Sequence, residues 1–283
     1  MYYLGFDIGG SNIKAALIKN KEIIRKALEN TSDNLENLLL LLGKMKYDLC
    51  AQLSAGEISG VGFSIAGALD VEREKMLHSP NIPYLDGQPI KKMLEKKMAP
   101  LPIKLEHDVH CFLQAEKDIG LAKDLKNVFY LAVGTGVGGA FMINREIFIG
   151  AHGASGEAGH MIIERNSGQD FESLTANNFV KNMLGVTGKE AEQLVRSGDE
   201  KAEDFFEERG KNLGIGIANI INVFDPEAVI IGGGIVGTQE FIMPGIKEAI
   251  EKYVISPEAK KTPILFSELG KFGGALGAAL LFE

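Results

Sequence analysis

The chain predicts an α/β protein with mixed sheets flanked by helices, arranged as two lobes. Three observations carry that prediction. Apolar strand patterns alternate with helical ones along nearly the whole sequence. Its 283 residues are long for one hydrophobic core and comfortable for two. The sequence also echoes itself at an offset of 124 residues: Gly10-Ser11-Asn12-Ile13 matches Gly134-Thr135-Gly136-Val137, Ala16 matches Ala140, and Asn20-Lys21-Glu22-Ile23 matches Asn144-Arg145-Glu146-Ile147. Each copy reads as a hairpin whose first turn is a glycine loop. Chance likeness between two hairpins is the other explanation.

The elements follow in order. Tyr2–Phe6 is the first strand, and Ile13–Lys19 with Glu22–Leu28 forms a hairpin around Asn20-Lys21. Asp33 and Glu36 suit a capping box for a helix through Leu35–Leu53. Ile58–Ile65 reads as a buried strand, His78–Pro89 as a Pro-rich loop, Ile103–Glu106 as a short strand and Val109–Ala122 as a helix. Strands follow at Val128–Val133, Val137–Ile143 and Glu146–Ile149, then a loop from Gly150 to Gly159. Helical patterns dominate from Phe171 to Val223. Ala228–Ile231 is a buried strand ending in three glycines, and a helix, a strand at Ile264–Phe266 and a helix at Gly273–Leu281 close the chain.

Composition bounds the function. The net charge is −8, and no Lys/Arg run is long enough to replace the counterions of a nucleic acid. Lys91, Lys92, Lys96 and Lys97 lie in a helical pattern and read as a solvated face. No apolar run approaches about 20 residues, so no membrane span is expected. The first residues lack a secretory leader's basic start and long apolar stretch, which makes the cytoplasm the expected compartment. Cys50 and Cys111 form no disulfide framework or zinc cluster and are expected as buried thiols.

The 34 glycines concentrate in a few loops. Asp7-Ile8-Gly9-Gly10-Ser11 follows a strand. Its glycines let amides approach an anion, Ser11 adds a hydroxyl, and Asp7 can hold Mg²⁺ through water. A plain glycine turn with an exposed Asp is the competing reading. Gly134-Thr135-Gly136-Val137-Gly138-Gly139 has the G-x-G-x-x-G pattern, but a strand follows it where a dinucleotide site needs a helix. Gly232-Gly233-Gly234-Ile235-Val236-Gly237 repeats the pattern without a clean acidic partner downstream. Two phosphate loops explain the glycines better than one Rossmann site. Asp108, at a strand end before a helix, can take the proton of an attacking alcohol, or can simply cap the helix. Glu157, His160 and Glu172 suit vicinal hydroxyls if buried, and are otherwise surface loop residues. His107, His110 and Cys111 lack a fourth metal ligand.

Together these segments resemble the sugar kinases of the ROK (repressor, open reading frame, kinase) family, within the actin-like ATPase superfamily of ribonuclease H-like fold. The resemblance spans almost the whole chain. Asp7–Lys14 looks like its first phosphate loop, Gly134–Gly139 its second, and Ile231–Gly234 its adenosine turn. Ser79-Pro80-Asn81-Ile82-Pro83 and Gly156-Glu157-Ala158-Gly159-His160 look like its sugar segments. The resemblance implies two lobes closing over ATP-Mg²⁺ and a sugar: residues 1–110 with 268–283, and residues 111–267. It implies Asp108 as general base and Asp7 holding Mg²⁺ through water. Gly67, Asn81, His107, Glu157, His160 and Glu172 would meet the sugar. Gly9, Gly10, Ser11, Asn12, Lys14, Gly134, Thr135, Gly136, Gly138, Gly233 and Gly234 would meet ATP. A homodimer is what the family suggests.

Three departures stand out. His107 and His110 replace asparagines usual on either side of the catalytic Asp. Ala66 replaces a proline. The stretch Glu164–Asp170 lacks the cysteines of the family's zinc motif, so no structural zinc is expected. The chain opens on its first phosphate strand, so no DNA-binding domain is expected. The expected activity is hexose phosphorylation, glucokinase-like. A kinase of an amino or N-acetyl sugar, and a non-catalytic sugar or nucleotide sensor, are the alternatives.

Overall fold

Asn20 and Lys21 both adopt positive φ (52° and 64°), and so do Asn144 and Arg145 (52° and 69°). This is the two-residue hairpin turn whose twist matches that of the strands it joins. The two echoed segments therefore build the same local object. The computed structural model describes residues 1–54 and 56–283. They divide into two compact units: Met1–Asp124 with Ile147–Ser155 and Leu269–Glu283, and Leu125–Glu146 with Gly156–Glu268.

The first unit contains β1 (Tyr2–Ile8), β2 (Asn12–Lys19), β3 (Glu22–Asn30), α1 (Leu35–Cys50), β4 (Ile58–Ile65), β5 (Ala68–Leu69), β6 (Met76–His78), α2 (Ile90–Met98), β7 (Ile103–His107) and α3 (Asp108–Ile119). Its five-stranded sheet has the order β3-β2-β1-β4-β7. The hairpin strands pair antiparallel, whereas β1, β4 and β7 run parallel. Leu4, Phe6, Ile8, Phe63 and Ile65 form its buried centre, with Phe6 and Phe63 stacked 5.3 Å apart.

The second sheet repeats this plan. The chain continues through β8 (Val128–Val133), β9 (Val137–Ile143), β10 (Glu146–Phe148), β11 (Ile162–Glu164), β12 (Gln169–Asp170), α4 (Asn177–Leu184), α5 (Gly188–Arg196), α6 (Glu200–Phe224), β13 (Ala228–Gly232), α7 (Gln239–Tyr253) and β14 (Ile264–Phe266). The sheet order β10-β9-β8-β13-β14 matches the first sheet strand for strand, with β8, β13 and β14 parallel. Phe129, Leu131, Phe206, Leu213 and Ile231 anchor its core.

Local signals explain most element ends. Thr187 and Glu190 form a reciprocal capping box on α5, and Asp199 caps α6. The cap of α1 falls one residue later than expected. Asn34, not Asp33, accepts the Asn37 amide, while Asp33 accepts the Asn37 side-chain amide. Cys111 is buried as expected, but Cys50 is only half-buried, because it lies in the last turn of α1. No helix among the described residues is long and apolar enough to cross a membrane.

The last helix, α8 (Gly273–Leu280), is buried along its whole length and packs on β1, β4 and α3. Its backbone lies directly on the sheet. A Cβ at Gly5 would overlap the Ala275 carbonyl oxygen, and one at Gly62 the Ala278 carbonyl oxygen. Glycine at paired positions on β1 and β4 is thus what lets a helix backbone touch the sheet. Overpacking typically costs about 1–3 kcal/mol, and here the obstacle is backbone rather than a movable side chain. We therefore expect Gly62→Ala to destabilise the protein by about 3 kcal/mol, read from the midpoint of urea unfolding. An unshifted midpoint would contradict the close docking of α8.

Candidate active site

The parallel register of the first sheet creates a polar row. Asp7 lies opposite Ser64, Ser64 opposite Glu106, and Lys14 opposite Asp7 on the antiparallel side. In-register neighbours share a face, so four strands present one line of polar side chains. The Ser64 hydroxyl donates to Asp7 Oδ1 at 2.9 Å, and Lys14 Nζ donates to Asp7 Oδ2 at 2.9 Å. Asp7 is 4% exposed. The row lies at the carboxyl ends of parallel strands, where open α/β sheets bind ligands.

Asp108 is the first residue of α3, immediately after β7. It is not the N-cap; that position falls to His107, whose side chain makes no cap bond. Asp108 Oδ1 accepts the Val109 amide at 2.8 Å and lies 3.3 Å from His107 Nδ1. Oδ2 has no hydrogen-bond partner among the described residues. Desolvation lifts this carboxyl above the ordinary aspartate range; His107 opposes the shift and the charge of Asp7 adds to it. A raised carboxylate at the first turn of a helix suits a general base.

Glu106, which the sequence reading did not single out, accepts three donors on one oxygen. They are Arg73 Nε at 2.8 Å, the His107 amide at 2.8 Å and His110 Nδ1 at 3.0 Å. Desolvation pushes this carboxyl up, yet the His110 hydrogen bond and the Arg73 charge hold it below the usual glutamate range. His110 is 1% exposed, and its Nε2 is buried without a partner among the described residues. The Glu106–His110 spacing of four residues was a usable sequence signal; Arg73 gave none.

The remaining first-unit residues gather nearby in the chain fold. Gly9 donates to the Asn12 carbonyl at 3.1 Å, and Thr31 Oγ1 donates to the Gly9 carbonyl at 2.6 Å, which fixes the Gly9–Asn12 turn. A Cβ on Gly10 would lie 2.7 Å from Asn81 Cβ, so the first glycine loop and the Asn81 segment touch. Gly67 has φ +128°, and a Cβ there would press on the His78 carbonyl at 2.6 Å. Ser79 ties that segment down, its hydroxyl donating to the Ala66 carbonyl at 2.9 Å and its amide to Asp86 Oδ1 at 2.6 Å.

In the second unit the loop Gly134–Gly138 is pinned by Glu172. Glu172 Oε2 accepts the Val137 amide at 2.7 Å, and Gly136 leaves room for that carboxylate, since a Cβ would lie 2.6 Å away. Gly134 donates to the Gly136 carbonyl at 2.9 Å, and its own carbonyl accepts the Asn177 amide at 2.8 Å. Thr135 is exposed. The buried Arg209 grips the Thr175 carbonyl through Nε and Nη2 (2.8 and 2.6 Å), and burial lowers its pKa to about 10. Gly233, at φ +90°, sits against the Val133 carbonyl, and Gly234 faces open space. The Gly134 loop and the Gly233 turn thus adjoin at the ends of β8 and β13.

Glu157 and His160 are exposed, and Glu172 is half-buried. The short helical turn Ala158–His160 carries them on the surface. His160 Nδ1 lies 3.6 Å from Asp170 Oδ2, a neighbour the sequence reading missed. Between β11 and β12, Glu164 accepts the Asn166 and Ser167 amides at 2.9 and 2.6 Å and closes that turn.

A family model described as the ROK family matches residues 3–283. The chain is 30% identical to the N-acetyl-D-glucosamine kinase of Vibrio parahaemolyticus, covering 99% of each chain. It is 25% identical to the glucokinase of Halalkalibacterium halodurans, covering 100% of this chain and 95% of that one. Its fold is similar to a ROK family glucokinase from Streptomyces griseus crystallised with glucose and AMPPNP. That likeness has a TM-score of 0.86 at 25% identity over 99% of each chain.

The Glu172 contact yields a direct test. A hydrogen bond to a charged group contributes about 1.5–3 kcal/mol. Glu172→Ala should cost about that much in urea unfolding and should strip hydrogen-exchange protection from the Val137 amide. Retained protection would mean that Glu172 does not hold the loop.

Proposed function

Since the chain belongs to the ROK family, we propose that it is an ATP-dependent sugar kinase whose chemical step depends on Asp108. It is a carbohydrate kinase of glucokinase-like or amino-sugar type. The observation that carries the mechanism is Asp108 itself: Oδ1 tethered by Val109, Oδ2 open, and the carboxyl raised by desolvation. A sugar hydroxyl gives its proton to Oδ2 as its oxygen attacks the γ-phosphorus of ATP, and ADP leaves in line.

The amides of Gly9, Gly10, Ser11 and Asn12 and of Gly134, Thr135, Gly136 and Gly138 are the proposed phosphate donors. Gly233 and Gly234 are proposed at the adenosine. Gly67, Asn81, His107, Glu157, His160 and Glu172 are proposed for the sugar. Lys14 already spends one of its three donors on Asp7, leaving two for phosphate. Asp7 fits an Mg²⁺ held through water, because Ser64 and Lys14 occupy only about half of the carboxylate's four lone-pair sites. Bound there, Mg²⁺ would neutralise phosphate charge. A homodimer belongs to the same proposal.

Relatives named N-acetyl-D-glucosamine kinase and glucokinase both span the chain, so the substrate test pairs those two sugars. ADP release over hexoses, amino sugars and N-acetyl sugars identifies the acceptor. Asp108→Asn should lower kcat by a factor on the order of 10²–10⁴ while AMPPNP affinity is kept. Full turnover in that variant would refute the base assignment. The base acts as a carboxylate, so kcat/KM for the sugar must fall as pH drops through the folded pKa of the free protein. Because that pKa is raised, the acid limb should lie above the 3.8 of an ordinary aspartate. A limb at or below 3.8 would contradict the desolvation argument.

A further inference from the structure

Resting on the reading of Asp108 as the base, we propose that Glu106 is a positioning residue, with Arg73 and His110 as its supports. Through one carboxylate oxygen Glu106 fixes the strand-to-helix corner from which Asp108 projects. This assigns His110, in the first turn of α3, to the scaffold of the base and not to the sugar.

The geometry supports each part. Glu106 is the penultimate residue of β7, in register with Ser64 and Asp7. Its Oε1 accepts the amide of His107, the one residue separating it from Asp108. The same oxygen accepts His110 Nδ1 and Arg73 Nε. One atom therefore ties together the end of β7, the first turn of α3 and the loop between β5 and β6. Arg73 is itself held, with φ +57° and Nη1 donating to the Asp70 carbonyl at 3.0 Å. Gly153 packs over it so closely that a Cβ would lie 2.8 Å from Nη1.

Glu106 is held below the usual glutamate range and so only accepts hydrogen bonds, which makes Nδ1 the protonated nitrogen of His110. Full burial leaves the His110 ring no route to a sugar hydroxyl. An asparagine at this position could carry an amide nitrogen at the same distance from the backbone as Nδ1, and so could offer the same donor. The histidine then preserves a brace. Displacing a base by about 1 Å can cost on the order of 10²-fold in rate, so a brace of this kind has a kinetic signature.

The test uses the full chain and the sugar that it turns over best. His110→Phe keeps ring volume and removes the donor. It should lower kcat about 10–100-fold, with the KM for sugar and the AMPPNP affinity within about twofold of the parent. His110→Asn should restore most of kcat. Glu106→Gln should lower kcat similarly, and the double variant with His110→Phe should be no worse than the more impaired single one. A raised sugar KM with unchanged kcat in His110→Phe would overturn the inference and place His110 at the sugar. Independent, multiplying losses would overturn it as well. If His110→Phe fails to fold, Glu106→Gln and His110→Asn decide by the same split of kcat from KM. Asp108→Asn is measured alongside. Full turnover there refutes the base itself, whereas a dead Asp108→Asn beside an unimpaired His110→Phe refutes only the brace.

Discussion

The register of three parallel strands is the constraint on which the site depends. Asp7, Ser64 and Glu106 are in line only because β1, β4 and β7 pair at one particular offset. A slip of one residue would turn every one of these side chains to the opposite face. The apolar rows below enforce the offset, with Phe6 opposite Phe63 and Phe63 opposite Leu105. The glycine pair Gly5 and Gly62 then admits the α8 backbone beside the row, where a Cβ on Gly274 would lie 2.8 Å from Asp7 Cγ. Core packing and polar placement are consequences of the same pairing.

The second sheet repeats the same topology with different side chains. Its hairpin turns with the same backbone conformation, and its glycine loop occupies the equivalent connection between the first two strands. The polar content differs. The first-unit loop is fixed by Thr31 from a neighbouring strand end, whereas the second is fixed by a carboxylate, Glu172. Both arrangements hold the loop by its edges, which suits the proposed contact of its amides with phosphate.

Much of the fold was legible because its signals are local. Asn-Lys and Asn-Arg mark tight hairpins, strand length follows apolar runs, and glycine loops stand out by composition. Errors fell where two neighbours compete for one role. Asn34 rather than Asp33 caps α1, whereas for Asp108, where a base and a cap were both open, the cap position falls to His107. Glu157 and His160 stand out in the sequence by chemical type, whereas their exposure is set by how a surface turn packs.

The sequence by itself determined the two hairpins with their glycine loops, the alternation that makes an α/β fold, and an acid at the start of α3. These depend on backbone conformation and patterning within a few residues. Only the tertiary structure decided which oxygen of Asp108 is free, that Asp7 is shared by Ser64 and Lys14, and that Arg73 supports Glu106. Those facts depend on strand register and on loops that meet across long stretches of chain. Hydrogen bonds act over about 3 Å, a distance that no spacing in the sequence encodes.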